Sequence, residues 1–431
     1  MDVSAVCATA RGFVYKGCGG PRVAATTTEA RMTTCRWAIA AALALLAPAA
    51  ARAATLQVGP GQPYAKPCAA IAAAANGDTI LIDAAGDYAG DVCAVTRSGL
   101  TLRGINGRPH IDAAGQHAEG KAIWVIKGAN TTVDNIEFSG CRVPDQNGAG
   151  LRVEADNLVV RHSWFHHNEM GILTGNDRSH TITIEYSEFS DNGYGDGYSH
   201  NVYVGHHALL VFRYNWSRAS LSGHLLKSRA ERNEVLYNRL TGEADGTESY
   251  ELTFPNGGLS FVIGNLIEQP ATSENSAMLD YLSEGFGGNS DDRLFVVNNT
   301  FVNNRGSGTF LAIRAATQTP AIVRNNVFWG GGTVSSQASA VLDHNVTGNA
   351  DDWFVDPANY DYRLRATASA LIDAGTAPGT GAGESLAPTQ VYLHPVAGAA
   401  RPVVGAIDVG AYEWAGDGIF DDGFEQGVRR R

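Results

Sequence analysis

One short stretch of this sequence concentrates basic side chains in an otherwise acidic protein. The segment GHLLKSRAERN, residues 223–233, carries His224, Lys227 and Arg229, whereas the chain of 431 residues has a formal net charge of −12. After residue 53 only four lysines remain. Because arginine supplies most of the positive charge, a lysine within a polar cluster indicates a role that arginine cannot fill. Lys227 is therefore the leading candidate for chemistry.

Proton abstraction from an acidic sugar is the chemistry that these residue types fit. Removing the C5 proton of a uronic acid requires a base, together with cationic or hydrogen-bonding groups around the carboxylate where negative charge develops. A lysine whose pKa is lowered by desolvation or by an adjacent arginine can be that base. Protonation of the leaving oxygen would complete β-elimination, whereas proton return to the opposite face of C5 would give an epimer.

Neighbouring segments place further polar residues at comparable points along the chain, in GYGDGYSHNVYVGHHALLVF (193–212) and SYELTFPNGGLSFVIGNL (249–266). Side chains alternate between the two faces of a strand, so not all of these residues can face one groove. The predicted catalytic residues are Lys227, His200, His224 and Tyr203, and the predicted substrate-binding residues are Arg229, Asn201, Glu251 and Arg152.

Several of these residues have a plainer interpretation. His200, Asn201 and Tyr203 also fit exposed strand positions without a function, and Arg152 fits an ordinary surface arginine equally well. Four other histidines and two carboxylates are interpreted as solvent-facing residues of turns or strands: His166, His167, His206, His207, Glu251 and Asp280.

A repeat identifies the elements that must position these side chains. Short apolar segments that end near an asparagine recur at spacings of 19 to 34 residues, as in VLYNRL (235–240), VVNNTF (296–301) and VRNNVF (323–328). This period, with short strands and polar turns, predicts an all-β parallel β-helix of about ten coils. Asparagines at equivalent turns are expected to hydrogen-bond from coil to coil. The apolar run CAAIAAAA (68–75) predicts a short N-terminal cap helix.

Residues 55–413 resemble the right-handed parallel β-helix proteins of the pectate-lyase-like superfamily, which includes secreted bacterial carbohydrate-active enzymes. The run KSRAERNEVLYNRL (227–240) is similar to the segment around the lysine base of β-helix lyases that act on alginate or dermatan-type chains. This resemblance implies that Lys227 abstracts the proton. Those lyases carry an arginine in the next coil, in a string like LTLRHG, where this sequence has LTFPNG (252–257) with Pro255 at the arginine position.

A second resemblance leaves the reaction open. Mannuronan C5-epimerases carry YG-x-D-P-H, and YGDGYSH (194–200) is similar but has Tyr198 and Ser199 before His200. The prediction is a uronic-acid polysaccharide lyase, with a C5-epimerase or a non-catalytic glycan-binding or envelope-binding protein as alternatives. A hydrolase fits less well because glycoside hydrolysis requires paired carboxylates. Calcium is a candidate cofactor, since related lyases use it, but no EF-hand or nonapeptide calcium motif is present.

The remaining predictions concern partners and the ends of the chain. The acidic balance disfavours nucleic acid and leaves an anionic polysaccharide as the expected partner of a monomer without a membrane span. Residues 32–53 read as a signal peptide, which predicts a secreted or periplasmic protein, and residues 1–31 as an over-extended start. The β-helix domain is expected at 54–413 and a C-terminal tail at 414–431. Cys68 and Cys93 can form a disulfide in an oxidising compartment, which leaves Cys141 as a buried thiol.

Overall fold

Short parallel strands make up almost all of the regular structure in a computed structural model, which describes residues 53–416. They form three long parallel sheets, which the chain visits from Thr101 onward in the order sheet 1, sheet 2, sheet 3 in each coil. Within a sheet, each strand pairs with the equivalent strands of the preceding and following coils. This arrangement is the predicted parallel β-helix of about ten coils.

Sheet 1 has twelve strands: Thr55–Val58, Thr79–Asp83, Thr101–Ile105, Thr131–Asp134, Leu158–Arg161, Asp177–Glu185, His207–Arg213, Arg232–Leu236, Leu259–Ile263, Leu294–Val297, Ile322–Arg324 and Val341–Asp343. Sheet 2 has ten: His110–Asp112, Glu137–Ser139, Trp164–His166, Glu188–Ser190, Trp216–Arg218, Arg239–Thr241, Leu266–Gln269, Thr300–Asn303, Val327–Gly330 and Val346–Gly348. Sheet 3 has ten: Cys93–Val95, Ala122–Ile126, Ala149–Val153, Met170–Thr174, Val202–Val204, Leu226–Ser228, Leu252–Phe254, Ala277–Tyr281, Thr309–Ile313 and Thr333–Ser335.

Apolar side chains fill the space between the three sheets. Equivalent positions of successive coils carry like residues, so that Phe138, Phe165 and Phe189 stack with ring centroids 5.1 Å apart at each step. Such offset aromatic contacts add to the free energy gained by burying each ring. The interior therefore repeats in the same register as the strands, which keeps each coil aligned with its neighbours.

The bend between sheet 1 and sheet 2 explains the recurring asparagines. Asn238 donates from its side-chain amide to Asn265 Oδ1 (2.9 Å), and Asn265 donates in the same way to Asn299 (3.0 Å). The residue before each of them, such as Tyr237, has a left-handed backbone (φ 56°), so the chain turns sharply there. The predicted ladder is thus confirmed, and its members are Asn215, Asn238, Asn265, Asn299, Asn326 and Asn345.

The N-terminal end carries the predicted cap. The helix Pro67–Ala73 packs Ile71 into the core, and a disulfide joins Cys68 to Cys93 on the first strand of sheet 3. Cys141 is a buried free thiol, as predicted. The one α-helix among the described residues has seven residues and is too short to cross a membrane. The predicted start, signal peptide and most of the tail lie outside the described residues.

The C-terminal part of the chain lies against the outside of the coils. Residues such as Phe354, Tyr362 and Val409 pack on Val302 and Val327, which face outward from sheet 2. This part contains two 3₁₀ turns, Asp351–Trp353 and Pro357–Asn359, and three antiparallel strand pairs. The pairs are Phe354–Asp356 with Asp361–Leu364, Thr380–Gly381 with Glu384–Ser385, and Gln390–Leu393 with Ala397–Ala400. Leu386 in the same part of the chain packs on Phe261 and Phe295 of sheet 1. The C-terminal residues therefore cover parts of sheets 1 and 2 and leave sheet 3 uncovered by them.

Candidate functional site

The outer face of sheet 3 brings together two of the four predicted catalytic residues, Lys227 and Tyr203. Strand pairing places Tyr203 opposite Lys227, and Lys227 opposite Thr253. Leu226 and Ser228, on either side of Lys227, are fully buried, so alternation along the strand directs Lys227 outward. The outward row reads, coil by coil, Arg152, Leu173, Tyr203, Lys227, Thr253 and Asp280.

Lys227 is held in a partly desolvated setting beside another cation. Its side chain is only 14% exposed, and its Nζ lies 5.2 Å from the centre of the Tyr203 ring. Burial lowers the pKa of Lys227 below its ordinary value, and the positive charge of Arg229 lowers it further. Glu284 opposes this shift, with a carboxylate oxygen 3.7 Å from Nζ. The balance favours the neutral amine more than at an ordinary surface lysine, which is what a base requires.

Arg229 is the most fully restrained cation of the site. Its Nε donates to the Tyr203 hydroxyl (2.7 Å) and its Nη1 to Asn256 Oδ1 (2.5 Å). Its Nη2 lies 2.7 Å from a carboxylate oxygen of Glu284. A guanidinium fixed in this way presents a preorganised positive charge, which can stabilise negative charge that develops on a nearby substrate. No sequence pattern predicts Asn256 or Glu284 at this site, because both come from the turns after later strands.

Pro255 takes the position at which the resembling lyases carry an arginine. Because Lys227 pairs with Thr253, Pro255 occupies the coil after Arg229 at the same distance along the strand. The arginine expected from the resembling lyases is thus absent at that position, but Arg229 supplies a guanidinium one coil earlier. Arg314 lies two residues beyond Ala312, the partner of Asp280, and donates to Asp280 Oδ1 (2.6 Å). Arginines therefore flank Pro255 along this edge of the sheet.

His200 and His224 form a stacked pair beside the row. Their ring centroids are 4.3 Å apart and nearly parallel, and Nδ1 of His200 accepts a hydrogen bond from the backbone N–H of His224 (3.1 Å). Burial, followed by the nearby positive charges, lowers the pKa of His200 well below its ordinary value and that of His224 to about 3. Both rings are therefore neutral at physiological pH, and the Nδ1 acceptor role of His200 places its proton on Nε2.

Two predicted substrate-binding residues face the interior and cannot line the groove. Asn201 is fully buried and donates to Ser217 Oγ (3.0 Å) and to the backbone carbonyl of Arg218 (2.9 Å). Glu251 is also fully buried, where Gln269 is its polar neighbour. Both residues come just before a strand of sheet 3, at a bend where side chains do not yet alternate between the inner and outer faces. The groove prediction for Asn201 and the solvent-facing prediction for Glu251 are wrong for this reason.

Other predicted residues lie at the margins. Arg152 faces outward but lies three coils before Lys227, roughly 14 Å along the sheet at one strand spacing per coil. Asp280 faces outward yet is only 1% exposed, because Arg314 and Thr253 cover it. His207 is buried and contacts Thr174 Oγ1 (3.0 Å), so the expectation of a solvated side chain is wrong.

The residues around Lys227 do not assemble a set of metal ligands. Asp280 and Glu284, the nearest carboxylates, are both paired with arginines. Between residues 53 and 416, two groups of three His or acidic side chains are close enough to share an ion, and neither includes a residue near Lys227. Calcium therefore remains a prediction that these contacts do not support.

Comparisons with known proteins agree on the fold. A family model described as "Right handed beta helix region" matches residues 93–216. The crystal structure of pectate lyase Pel9A superposes with a TM-score of 0.59 at 16% sequence identity, over 84% of this chain and 96% of that one. No curated protein matches the sequence. The chain therefore has the right-handed parallel β-helix fold of the pectate-lyase-like proteins.

Proposed function

We propose that this protein is a secreted polysaccharide lyase that cleaves a uronic-acid polymer by C5 proton abstraction and β-elimination. One observation carries the proposal: the partly buried amine of Lys227 lies beside the restrained guanidinium of Arg229 on an outward strand row. A base next to a fixed cation is the minimum that the reaction requires, because the proton lost is adjacent to a carboxylate. The likeness to a pectate lyase in fold is consistent with this activity.

Each residue of the site would perform one part of the reaction. Neutral Lys227 takes the proton from C5, while Arg229 binds the adjacent carboxylate and stabilises the charge that develops on it. The C5–H electron pair forms the C4=C5 double bond, and the C4–O bond breaks. The Tyr203 hydroxyl accepts a hydrogen bond from Arg229 Nε, so its own proton is free for the leaving oxygen. His200 and His224 are buried and would therefore not contact the sugar. They would instead hold Tyr203 and Lys227 in position from the inner side of the strands.

Glu284 supports a carboxylate as the bound group. Its side chain is about half exposed and contacts both Lys227 and Arg229 through its two oxygens, at 3.7 and 2.7 Å. The carboxylate of a bound uronate would make the same two contacts, one with Lys227 and one with Arg229. An incoming sugar would displace Glu284, which sits on a turn next to Gly285 and is not restrained by any strand.

The test is activity on a panel of anionic polysaccharides: alginate, polygalacturonate, chondroitin, dermatan and hyaluronan. Lyase activity appears as ultraviolet absorbance of the unsaturated uronate at the new chain end. Proton NMR of the same samples measures the epimer ratio, and sedimentation measures binding. A rise in absorbance on one polymer supports the proposal. A changed epimer ratio without absorbance would instead establish a C5-epimerase, and binding without either change would establish a glycan-binding protein.

A further inference from the structure

A second cluster of functional side chains lies on a different face of the protein. His110, Glu137 and His166 come from three successive coils and project from the outer face of sheet 2. Nε2 of His166 lies 3.0 Å from Glu137 Oε1, and Nε2 of His110 lies 3.6 Å from the same oxygen. Two imidazoles thus converge on one carboxylate, although the sequence analysis interpreted His166 as a solvent-facing turn residue.

These separations suit a transition-metal ion. Zinc binds histidine nitrogen and carboxylate oxygen at about 2.0–2.1 Å, so ligand atoms at the corners of a tetrahedron are about 3.3 Å apart. The two separations from Glu137 Oε1, 3.0 and 3.6 Å, bracket this value. His110 is 43% exposed, whereas Glu137 and His166 are mostly covered. Two ligands are therefore held by their surroundings, and the open side leaves space for a water as a fourth ligand.

The surroundings also orient the histidine rings. Nδ1 of His166 lies 2.8 Å from Nδ1 of His167, and the indole of Trp164 packs on the His166 ring with centroids 4.1 Å apart. A metal-binding histidine commonly donates its second ring N–H to a neighbouring acceptor, which fixes the tautomer with a free lone pair towards the metal. His167 can accept that hydrogen bond from His166. Glu137 makes no ion pair with an arginine or lysine among the described residues.

We propose that His110, Glu137 and His166 bind a divalent transition-metal ion of the zinc type, with His167 as the outer partner of His166. Imidazole and carboxylate together suit zinc and its neighbours better than calcium, which takes oxygen ligands. Because each ligand belongs to a different coil, the ion links three coils on a face separate from Lys227. The site therefore stabilises the N-terminal half of the β-helix and does not depend on the lyase proposal.

The other triad in the described part of the chain is a weaker candidate. Asp156, Asp177 and His180 offer one imidazole and two carboxylates. Asp177 Oδ1 already accepts hydrogen bonds from the backbone N–H and the hydroxyl of Ser179, at 3.0 and 2.7 Å. In the sheet 2 cluster His110 Nε2 also lies 2.7 Å from Ser139 Oγ, so that cluster is preferred for its two imidazoles, which suit zinc better than one imidazole with two carboxylates. This triad consequently supplies a matched control rather than a second proposal.

The experiment measures zinc affinity of the metal-stripped protein by competition with a fluorescent zinc chelator, and follows cobalt binding by its visible absorption. One site is expected, with tetrahedral cobalt bands and a higher melting temperature in zinc. His166→Ala should abolish the bands and weaken zinc binding by more than tenfold, while His180→Ala leaves both unchanged. His167→Gln, which keeps the fold and the ligands, should weaken binding roughly 10-fold or more. Unchanged affinity in His166→Ala, or loss in His180→Ala, overturns the proposal.

Discussion

At the scale of single residues, the chemistry rests on how three charged groups share one location. Lys227 and Arg229 stand two residues apart on one strand edge, and Glu284 contacts both. Burial and the charge of Arg229 lower the pKa of Lys227 and the carboxylate of Glu284 raises it, so the protonation of the base depends on which anion occupies the site. Glu284 in this account is a competitor of the substrate carboxylate rather than a catalytic group.

Replacing Glu284 by glutamine is expected to strengthen substrate binding. The variant removes the charge that a uronate must displace, and a half-exposed ion pair contributes up to about 1 kcal/mol, which corresponds to about a fivefold lower KM. Steady-state kinetics on the active polymer would measure the change. Glu231→Gln is the matched control, because Glu231 is similarly exposed and pairs with Arg178 instead. A higher KM in Glu284→Gln would show that this carboxylate helps to bind the substrate.

At the scale of the elements, the repeat in the sequence predicts the coils and their strands, but it does not predict the direction of side chains at the bends. The asparagine positions and the strand period identified the coils, because each coil repeats the same turn and the same ladder. The outward direction of Lys227 agrees with the high cost of burying a lysine without a partner. The direction of Asn201 and Glu251 could not be predicted, because both lie at bends where alternation has not begun. Glu284 and Asn256 were missed because turns from later coils carry no periodic signal.

The buried glutamates near one such bend should make stability depend on pH. Burial raises the pKa of Glu248 to about 8 and that of Glu268 to about 7, and it raises the pKa of Glu251 well above its ordinary value. The folded state therefore holds protons that the unfolded chain has lost above about pH 5. Below about pH 6.5 the buried neutral histidines His200 and His224 act in the opposite direction, because the unfolded chain protonates them. From about pH 7 to about 8 the glutamates dominate, so the free energy of unfolding should fall as pH rises, because folding then requires proton uptake.

Thermal unfolding followed by circular dichroism from pH 5 to 9 tests this dependence. Glu248→Gln should flatten the profile, because the amide is isosteric with the protonated acid and cannot ionise. Glu119→Gln, on the exposed surface, should leave the slope as it is. If the melting temperature of the unmodified protein rises steadily between pH 7 and pH 9, the assignment of protonated interior glutamates is wrong.

At the scale of the whole molecule, a stack of coils depends on its ends. The strands of each coil pair only with those of the neighbouring coils, so unfolding can begin at an end and proceed along the axis. The N-terminal end is closed by the short helix and by the disulfide between Cys68 and Cys93, which are 25 residues apart. The opposite part of the chain folds back on sheet 2, so sheet 3 and its polar row stay accessible to a long polymer.

Removing the disulfide should destabilise the N-terminal coils first. Closing a loop of 25 residues lowers the conformational entropy of the unfolded chain, which stabilises the folded state by about 3.5 kcal/mol in the loop-entropy model. The Cys68→Ser/Cys93→Ser double variant should melt roughly 5 °C lower than the oxidised protein and release its N-terminal coils to limited proteolysis earlier. The unmodified protein under reductant is the control and should behave like the variant. Equal melting of all three samples would show that the helix alone closes this end.

The most direct test of the central claim is the lyase activity of Lys227→Ala on the polymer that the unmodified protein cleaves. Lys227→Ala should reduce the rate at which unsaturated-uronate absorbance rises by at least about 100-fold, as expected when a general base is removed. Circular dichroism should be unchanged, since Lys227 faces outward from the coil. Lys127→Ala, which removes a surface lysine paired with Glu119, should keep full activity. Full activity in Lys227→Ala would contradict the assignment of Lys227 as the base.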